Sequence, residues 1–294
     1  MNNILMKIRI ISFLLLSLLV SSCYKELTDY NLQFEGSKLV VNGLLTEKGI
    51  SVTLTKSINP AILNKAEDVL IEGGHVWLYK NDTFLIELNK LSKDKFENKN
   101  MIPQVGASYK IKAVATGFDT LFSKNIEFPS PPIIRSNTFV KNDSLAINAS
   151  YGASLFTAIL GDDANVKNNY MIDTYVRIKT DSIITGYLKG TIYNGNTSSS
   201  CEFDSYANIP FFTDKCFNGS DYKIYYFSEH QRRGTMILEF SSINESFLEY
   251  LRTLNQPVGL ELNFAEPKIQ YSNIQNGYGV FVAKNTKSFS LKLD

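Results

Sequence analysis

The sequence predicts a mainly β protein: two tandem β-sandwich domains with one short helix in the second. Three observations carry that expectation. Apolar residues alternate with polar or hydroxyl residues in many short runs, turn-forming residues separate the runs, and Pro129-Ser130-Pro131-Pro132 breaks the series near the middle of the 294-residue chain. Alternation at period two buries one face of a strand and wets the other. Lys38 to Leu45 is the first run, and Gly49 turns the chain into Ile50-Ser51-Val52-Thr53-Leu54-Thr55. His75 to Tyr79 passes through Asn81-Asp82 into Thr83 to Leu88, a hairpin by its turn residues. Tyr109 to Ala115 runs into Thr116-Gly117-Phe118-Asp119 and out through Thr120 to Phe128. The three prolines that follow fix φ and donate no ladder hydrogen bond, so they end a sheet. A first domain over 38–129 and a second over 133–294 are expected.

In the second half, strands are expected near Ser144 to Ala149, Tyr170 to Thr180, Ser182 to Thr191, Lys223 to Ser228, Met236 to Ser241 and Gly259 to Phe264. A helix near 243–255 interrupts them. Ser242-Ile243-Asn244-Glu245 reads as a capping box, and Ile243, Phe247, Tyr250, Leu251 and Leu254 form a stripe at helical spacing before Pro257. That stripe predicts core packing rather than a ligand site.

The amino terminus reads as an export signal over 1–22. Lys7 and Arg9 form its positive end and Ile10 to Val20 its apolar core. The core is shorter than the roughly 20 apolar residues of a membrane-spanning helix, and it ends in small residues as a cleavage site requires. Val20-Ser21-Ser22-Cys23 resembles the lipobox of bacterial lipoproteins, in which the cysteine thiol receives diacylglycerol and the new amino group is then acylated. Two acyl chains make an anchor stable where one is marginal. Lipidation at Cys23 is therefore expected, with 23–37 as a polar tether and everything after it outside the cytoplasm.

Removing the signal takes the formal net charge from +1 to −1. Basic and acidic residues are interspersed, which excludes the clustered basic surface of a nucleic-acid-binding protein. A hydrophobic content of 44% suffices for packed cores. Besides Cys23 there are Cys201 and Cys216, an even pair in an oxidising compartment. A disulfide closing a loop of about 15 residues would contribute roughly 3 kcal/mol; the alternative is two thiols on neighbouring strands that face apart.

No catalytic, metal or cofactor site is legible. The two histidines are His75, at the head of an apolar strand where a structural role is expected, and His230, in the polar stretch Ser228 to Arg233 that reads as a solvated turn. A Ser-His-acid hydrolase would need one of them, and neither a nucleophile elbow nor a phosphate-cradling glycine loop is present. Asp162-Asp163 with Asn165 could offer oxygens to calcium but lacks the Gly and terminal Glu of an EF-hand loop, so a turn is expected. The 16 Tyr and 19 Phe could line a glycan or peptide platform, although alternation within Tyr222, Tyr225, Tyr226 and Phe227 buries about half of that densest group.

Near the carboxy terminus, Phe264-Ala265-Glu266-Pro267 and Tyr271-Ser272-Asn273-Ile274-Gln275-Asn276-Gly277-Tyr278-Gly279-Val280-Phe281 resemble the closing signature of a family of Bacteroidota lipoproteins whose domain is of unknown function. Leu39 to Leu44, Ala115 to Phe118, Asn169-Tyr170, Phe212 to Gly219 and Tyr250-Leu251 agree with it in order. The resemblance implies a lipoprotein held at the outer membrane, on its periplasmic or cell-surface side, and often encoded beside a TonB-dependent receptor. It supplies no site residues. Lys25-Glu26 after the cysteine resembles the surface-export signals of such lipoproteins. The first domain resembles an immunoglobulin or transthyretin-like module. In the last motif the glycines and asparagines suit positive φ, so a tight turn or bulge returning the chain to a sheet edge is expected, with Val280 to Ala283 as the next strand; a loop whose bare backbone meets a partner is the alternative.

The expected function is a non-enzymatic accessory or binding component working beside a TonB-dependent receptor. The alternative is an independent adhesin for glycan or protein, with a hydrolase as the third reading.

Overall fold

The computed structural model describes residues 34, 36–59, 66–145, 152–179, 182–184, 190–194, 204–206, 209–230, 234–254 and 270–293. All but Phe34 belong to one compact unit made of Gly36–Asn59 and Asn64–Asp294. The signal, Cys23, the tether up to Gln33, Cys201 and the strand expected at Gly259 to Phe264 lie outside the described residues.

The protein is mainly β. The strands before the prolines are β1 (Leu39–Thr46), β2 (Gly49–Lys56), β3 (His75–Lys80), β4 (Thr83–Glu87), β5 (Asn89–Lys90), β6 (Lys95–Asn98), β7 (Ser108–Val114), β8 (Leu121–Ser123) and β9 (Ile126–Glu127). After them come β10 (Ile133–Lys141), β11 (Gly152–Gly161), β12 (Asn169–Lys179), β13 (Ser182–Ile184), β14 (Gly190–Asn194), β15 (Asp204–Tyr206) and β16 (Ile209–Thr213). The chain then forms β17 (Tyr222–His230), β18 (Thr235–Ile243), the helix α1 (Glu245–Leu254), β19 (Ile274–Gln275) and β20 (Tyr278–Lys292). The β3–β4 hairpin turns at Asn81 and Asp82, both at positive φ as a type I′ turn requires. Ser144 and Leu145, expected to open a strand, instead sit in a short 3₁₀ turn, and the strand β11 starts only at Gly152.

Three sheets form two sandwiches. A ten-stranded sheet runs β15-β16-β12-β18-β20-β1-β2-β6-β5, with β13 also paired to β12. Across one part of it lies the six-stranded sheet β19-β8-β7-β3-β4, with β9 on β7. Val41, Leu54, Leu78, Ile111 and Phe281 fill the core between them. Across the other part lies the four-stranded sheet β10-β11-β17-β14, over a core that includes Phe156, Tyr170, Ile224, Leu238 and Phe240.

The long sheet is continuous because of β20. Its first half pairs in parallel with β1, from Val40 opposite Tyr278 to Thr46 opposite Lys284. The same strand pairs antiparallel with β18, from Ile243 opposite Lys284 to Thr235 opposite Lys292. The proline stretch does fall between two sheets, yet the last strand passes back into the first sandwich. The final motif does bring the chain to a sheet edge, since β19 pairs with β8 as the outermost strand of the six-stranded sheet, and from there β20 enters the long sheet between β18 and β1.

That placement explains the glycines. At Gly279, φ is +106°, and a Cβ there would lie 1.9 Å from the Val41 carbonyl oxygen. At Gly277 a Cβ would lie 2.6 Å from the Leu39 carbonyl oxygen. Only glycine lets β20 enter beside β1 so closely. Asn273, itself buried, locks the turn: its Nδ2 donates to the Phe281 carbonyl at 2.7 Å, and its Oδ1 accepts from the Phe281 N–H at 2.9 Å.

Helix α1 lies on the outer face of the long sheet. Leu248 and Leu251 pack on Met171, Phe211 and Ile243, with Phe247 alongside. Leu248 therefore takes the core position that the sequence reading assigned to Tyr250.

Candidate functional site

The candidate site is a cleft of about 300 Å³ where the loop after β8, the entry to β12 and the entry to α1 meet. Ile126, Asn169, Ser242, Ile243 and Asn244 form its buried floor. Glu127, Ser130, Val166, Lys167 and Glu245 form its exposed rim. Its volume is at the lower end for small-molecule sites, which favour junctions between packed units.

The start of α1 forms one wall of the cleft. The expected capping box does not form. Asn244 occupies the cap position, with its carbonyl accepting from the Phe247 and Leu248 N–H groups at 3.0 and 3.2 Å. Its side chain is turned to β20, where Oδ1 accepts from the Ala283 N–H at 2.9 Å. The first N–H groups of a helix have no carbonyl partner inside it, and Glu245 and Ser246, the first two residues of α1, line the cleft. Ser242 lies two residues too early to cap. It is 2% exposed and lies on the floor of the cleft.

Asn169 is the second unusual group. Its Nδ2 donates to Glu245 Oε2 at 3.2 Å, while its Oδ1 has no partner although the residue is 4% exposed. Buried polar atoms of this kind are rare in folded proteins. Lys167 Nζ also reaches Glu245 Oε2, at 2.8 Å. Partial burial pushes the Glu245 carboxyl upward, but hydrogen bonds from Lys167 and Asn169 prevail and hold it below the ordinary glutamate value. One cation thus faces two carboxylates, Glu127 and Glu245, beside a floor half amide or hydroxyl and half aliphatic.

The residues singled out in the sequence take other places. His75 is on the outer face of the six-stranded sheet, its Nδ1 2.7 Å from Glu87 Oε1 and its ring stacked 5.8 Å from Trp77. On the same face Lys112 Nζ lies 5.3 Å from the Trp77 ring centre and 5.9 Å from that of Phe122, so these rings are covered by their neighbours. His230 is not in a solvated turn: it ends β17 opposite Gly152 and is 3% exposed, because the alternation continues two residues past Ser228. Tyr222 and Tyr226 are buried and Tyr225 and Phe227 half-buried, as alternation requires.

The acidic turn is self-satisfied. Asp162 accepts from Asn168 Nδ2 at 2.9 Å, from the Tyr170 hydroxyl at 3.2 Å and from the Gly219 N–H at 2.8 Å. Asp163 Oδ1 accepts from the backbone and side chain of Asn165. Among the described residues no cluster of three or more His, Cys, Asp or Glu could hold a metal ion, and no helix is long and apolar enough to cross a membrane. Cys216 is disulfide-bonded, and the other two cysteines lie outside the described residues.

The cleft itself was missed from sequence. The one available signal was Asn169-Tyr170, part of the family resemblance, and it pointed to no chemistry.

No curated protein matches the chain. Among solved structures it is similar to a crystal structure of the major pilin subunit of Bacillus cereus, with 13% identity and a TM-score of 0.22, covering 71% of this chain and 65% of that one. A likeness this distant carries no argument. The family model of DUF4249, a domain of unknown function, matches residues 25–290, and the chain belongs to that family.

Proposed function

We propose that this chain is a lipid-anchored outer-membrane lipoprotein, a non-enzymatic binding component that works beside a TonB-dependent receptor. The carrying observation is Cys23 placed directly after Val20-Ser21-Ser22 at the end of a short apolar core. The described fold agrees with a tethered body, since β1 begins at Leu39, a short polar stretch after that cysteine. The receptor partnership rests on the family resemblance. Replacing Cys23 with Ser should release a folded protein from the membrane fraction and abolish labelling by palmitate; firm membrane attachment of that variant would overturn the anchor. Crosslinked, mildly extracted protein should carry a TonB-dependent receptor with it, and recovery of the lipoprotein alone would overturn the partnership.

The same reading assigns the partner of Cys216. A Cys23 thiol occupied by diacylglycerol cannot form a disulfide, which leaves Cys201. Non-reducing peptide mapping should recover Cys201 joined to Cys216, and a peptide joining Cys23 would contradict both assignments. A second reading, an independent glycan-binding adhesin, is supported by the cleft at the start of α1.

A further inference from the structure

We propose that this chain pairs with a second copy of itself along one flank of the second sandwich, where both sheets end on an unpaired strand. One edge is β10, the last strand of the four-stranded sheet. The other is the second half of β20, which keeps β18 on one side but has left β1 behind at Lys284. Among the described residues no further strand pairs with either edge. They lie on the same flank: Phe139 of β10 and Phe289 of β20 both pack on Phe156, with ring centres 5.7 and 4.9 Å from it. The Lys141 ammonium also reaches from β10 to the Leu293 carbonyl.

An unpaired edge offers its N–H and C=O groups to any strand that reaches it, and natural edges are guarded by bulges or charges. Here the guards are withdrawn. Just past the end of β1, the Thr286 N–H donates to Glu47 Oε2 at 3.2 Å. Backbone groups alternate sides along a strand, so those of Ser288 and Ser290 point the same way, outward from β18. Both serines are exposed. On β10 the bulge lies at Arg135, which leaves Ser136 to Lys141 in regular register. Arg135 is turned to Asp221, its Nε 2.6 Å from Oδ1, and Lys141 is turned to Leu293. Val140 is 47% exposed, and Phe139, Phe289 and Leu291 lie half-buried along the flank.

The residues along the edges select a second copy as the partner. A twofold axis at Phe289 sets Ser288 opposite the partner's Ser290, Lys287 opposite the partner's Leu291 and Thr286 opposite the partner's Lys292, so no like charges meet. The serine rungs are the ones whose backbone groups face outward, and each exchanges both hydrogen bonds. With Phe139 on the same axis, Thr138 stands opposite the partner's Val140 and Asn137 opposite the partner's Lys141, again without like charges. The half-buried rings at the axis then meet their own copies and are covered. A foreign strand would gain backbone bonds on one sheet, whereas a second copy extends both sheets at once. Such a contact is self-complementary and closes at two copies.

The test uses the full chain in a density-matched nonionic detergent. Sedimentation equilibrium at micromolar concentration should give the mass of two copies. Ser288→Asp with Ser290→Asp sets carboxylates opposite each other and should raise the dissociation constant at least about tenfold, with the melting temperature kept. Ser288→Lys with Ser290→Asp sets opposite charges across the same rungs and should restore the two-copy mass. Ser288→Cys with Ser290→Cys should give a crosslinked dimer when membranes are oxidised, because directly opposed residues stand within disulfide reach. The same pair of changes at exposed Ser92 and Lys93, in the first sandwich, is the control for chance collision. A one-copy mass for the unaltered chain would overturn the proposal. So would a dimer indifferent to the two aspartates, a dimer not restored by the lysine and aspartate together, or no more crosslinked dimer than the control gives.

Discussion

Two buried asparagines in this protein treat their polar atoms in opposite ways. Asn273, at the entry to β20, spends both ends of its amide on the backbone of Phe281. Asn169, at the entry to β12, spends its nitrogen on Glu245 and leaves its oxygen unmet. The first arrangement holds a fold: it sets the turn from which β20 joins the two sandwiches. The second leaves one buried polar atom unpaired in a residue that lines the cleft, which few native folds tolerate. A motif rich in Asn and Gly can therefore be wholly structural, while of the Asn169-Tyr170 pair only Asn169 reaches the cleft and Tyr170 belongs to the core.

Substitutions can break this comparison, and the largest effect should come from Gly279→Ala. The added Cβ would meet the Val41 carbonyl at 1.9 Å with φ at +106°. A loss of about 4 kcal/mol, or failure to fold, is expected by chemical denaturation; a loss under about 1 kcal/mol would show that β20 can enter differently. Asn273→Ala comes next, since it strands the N–H and the carbonyl of Phe281 in the core. About 2 to 3 kcal/mol should disappear, read in the same denaturation experiment.

Ser242→Ala is the counterpart that sharpens the contrast. The change removes one hydroxyl from the cleft floor and leaves the β18 ladder intact, so stability should stay within about 1 kcal/mol of the unaltered chain. A marked destabilisation would place Ser242 among the structural groups instead.

The smallest effect is expected at the rim. Lys167→Met removes an exposed ion pair with Glu245 worth about 0.5 kcal/mol or less. The Glu245 carboxyl is held below its ordinary value when folded. Its contribution is thus present above the ordinary glutamate pKa and lost as the pH falls through the lowered one. The gap between Lys167→Met and the unaltered protein should accordingly close in acid, as pH-dependent melting would show; a gap that widens there would mean that Lys167 acts through other carboxylates.

Much of the fold was legible because strands and turns are local. The alternation in Ile50 to Thr55 and in Tyr222 to Ser228 became strands with the expected buried faces. Asn81-Asp82 became the expected hairpin turn, and the prolines fell between β9 and β10. The helix appeared where its stripe placed it, but the capping box misled. Its Ser and Glu stand at the right spacing in sequence, while the start of α1 is set by Asn244, whose side chain is drawn to Ala283 on another strand.

By itself, the sequence determined the β character, the break at the prolines, the helix near 243–255 and the expectation of a lipid anchor at Cys23. Each of these depends on neighbours along the chain. Tertiary structure alone decided that β20 lies between β18 and β1, that the two sandwiches share one sheet, and that Asn169 and Ser242 meet in a cleft with the Asn169 Oδ1 unpaired. Whether a buried polar atom is satisfied depends on partners brought from distant strands, and residue spacing carries no record of which partners arrive.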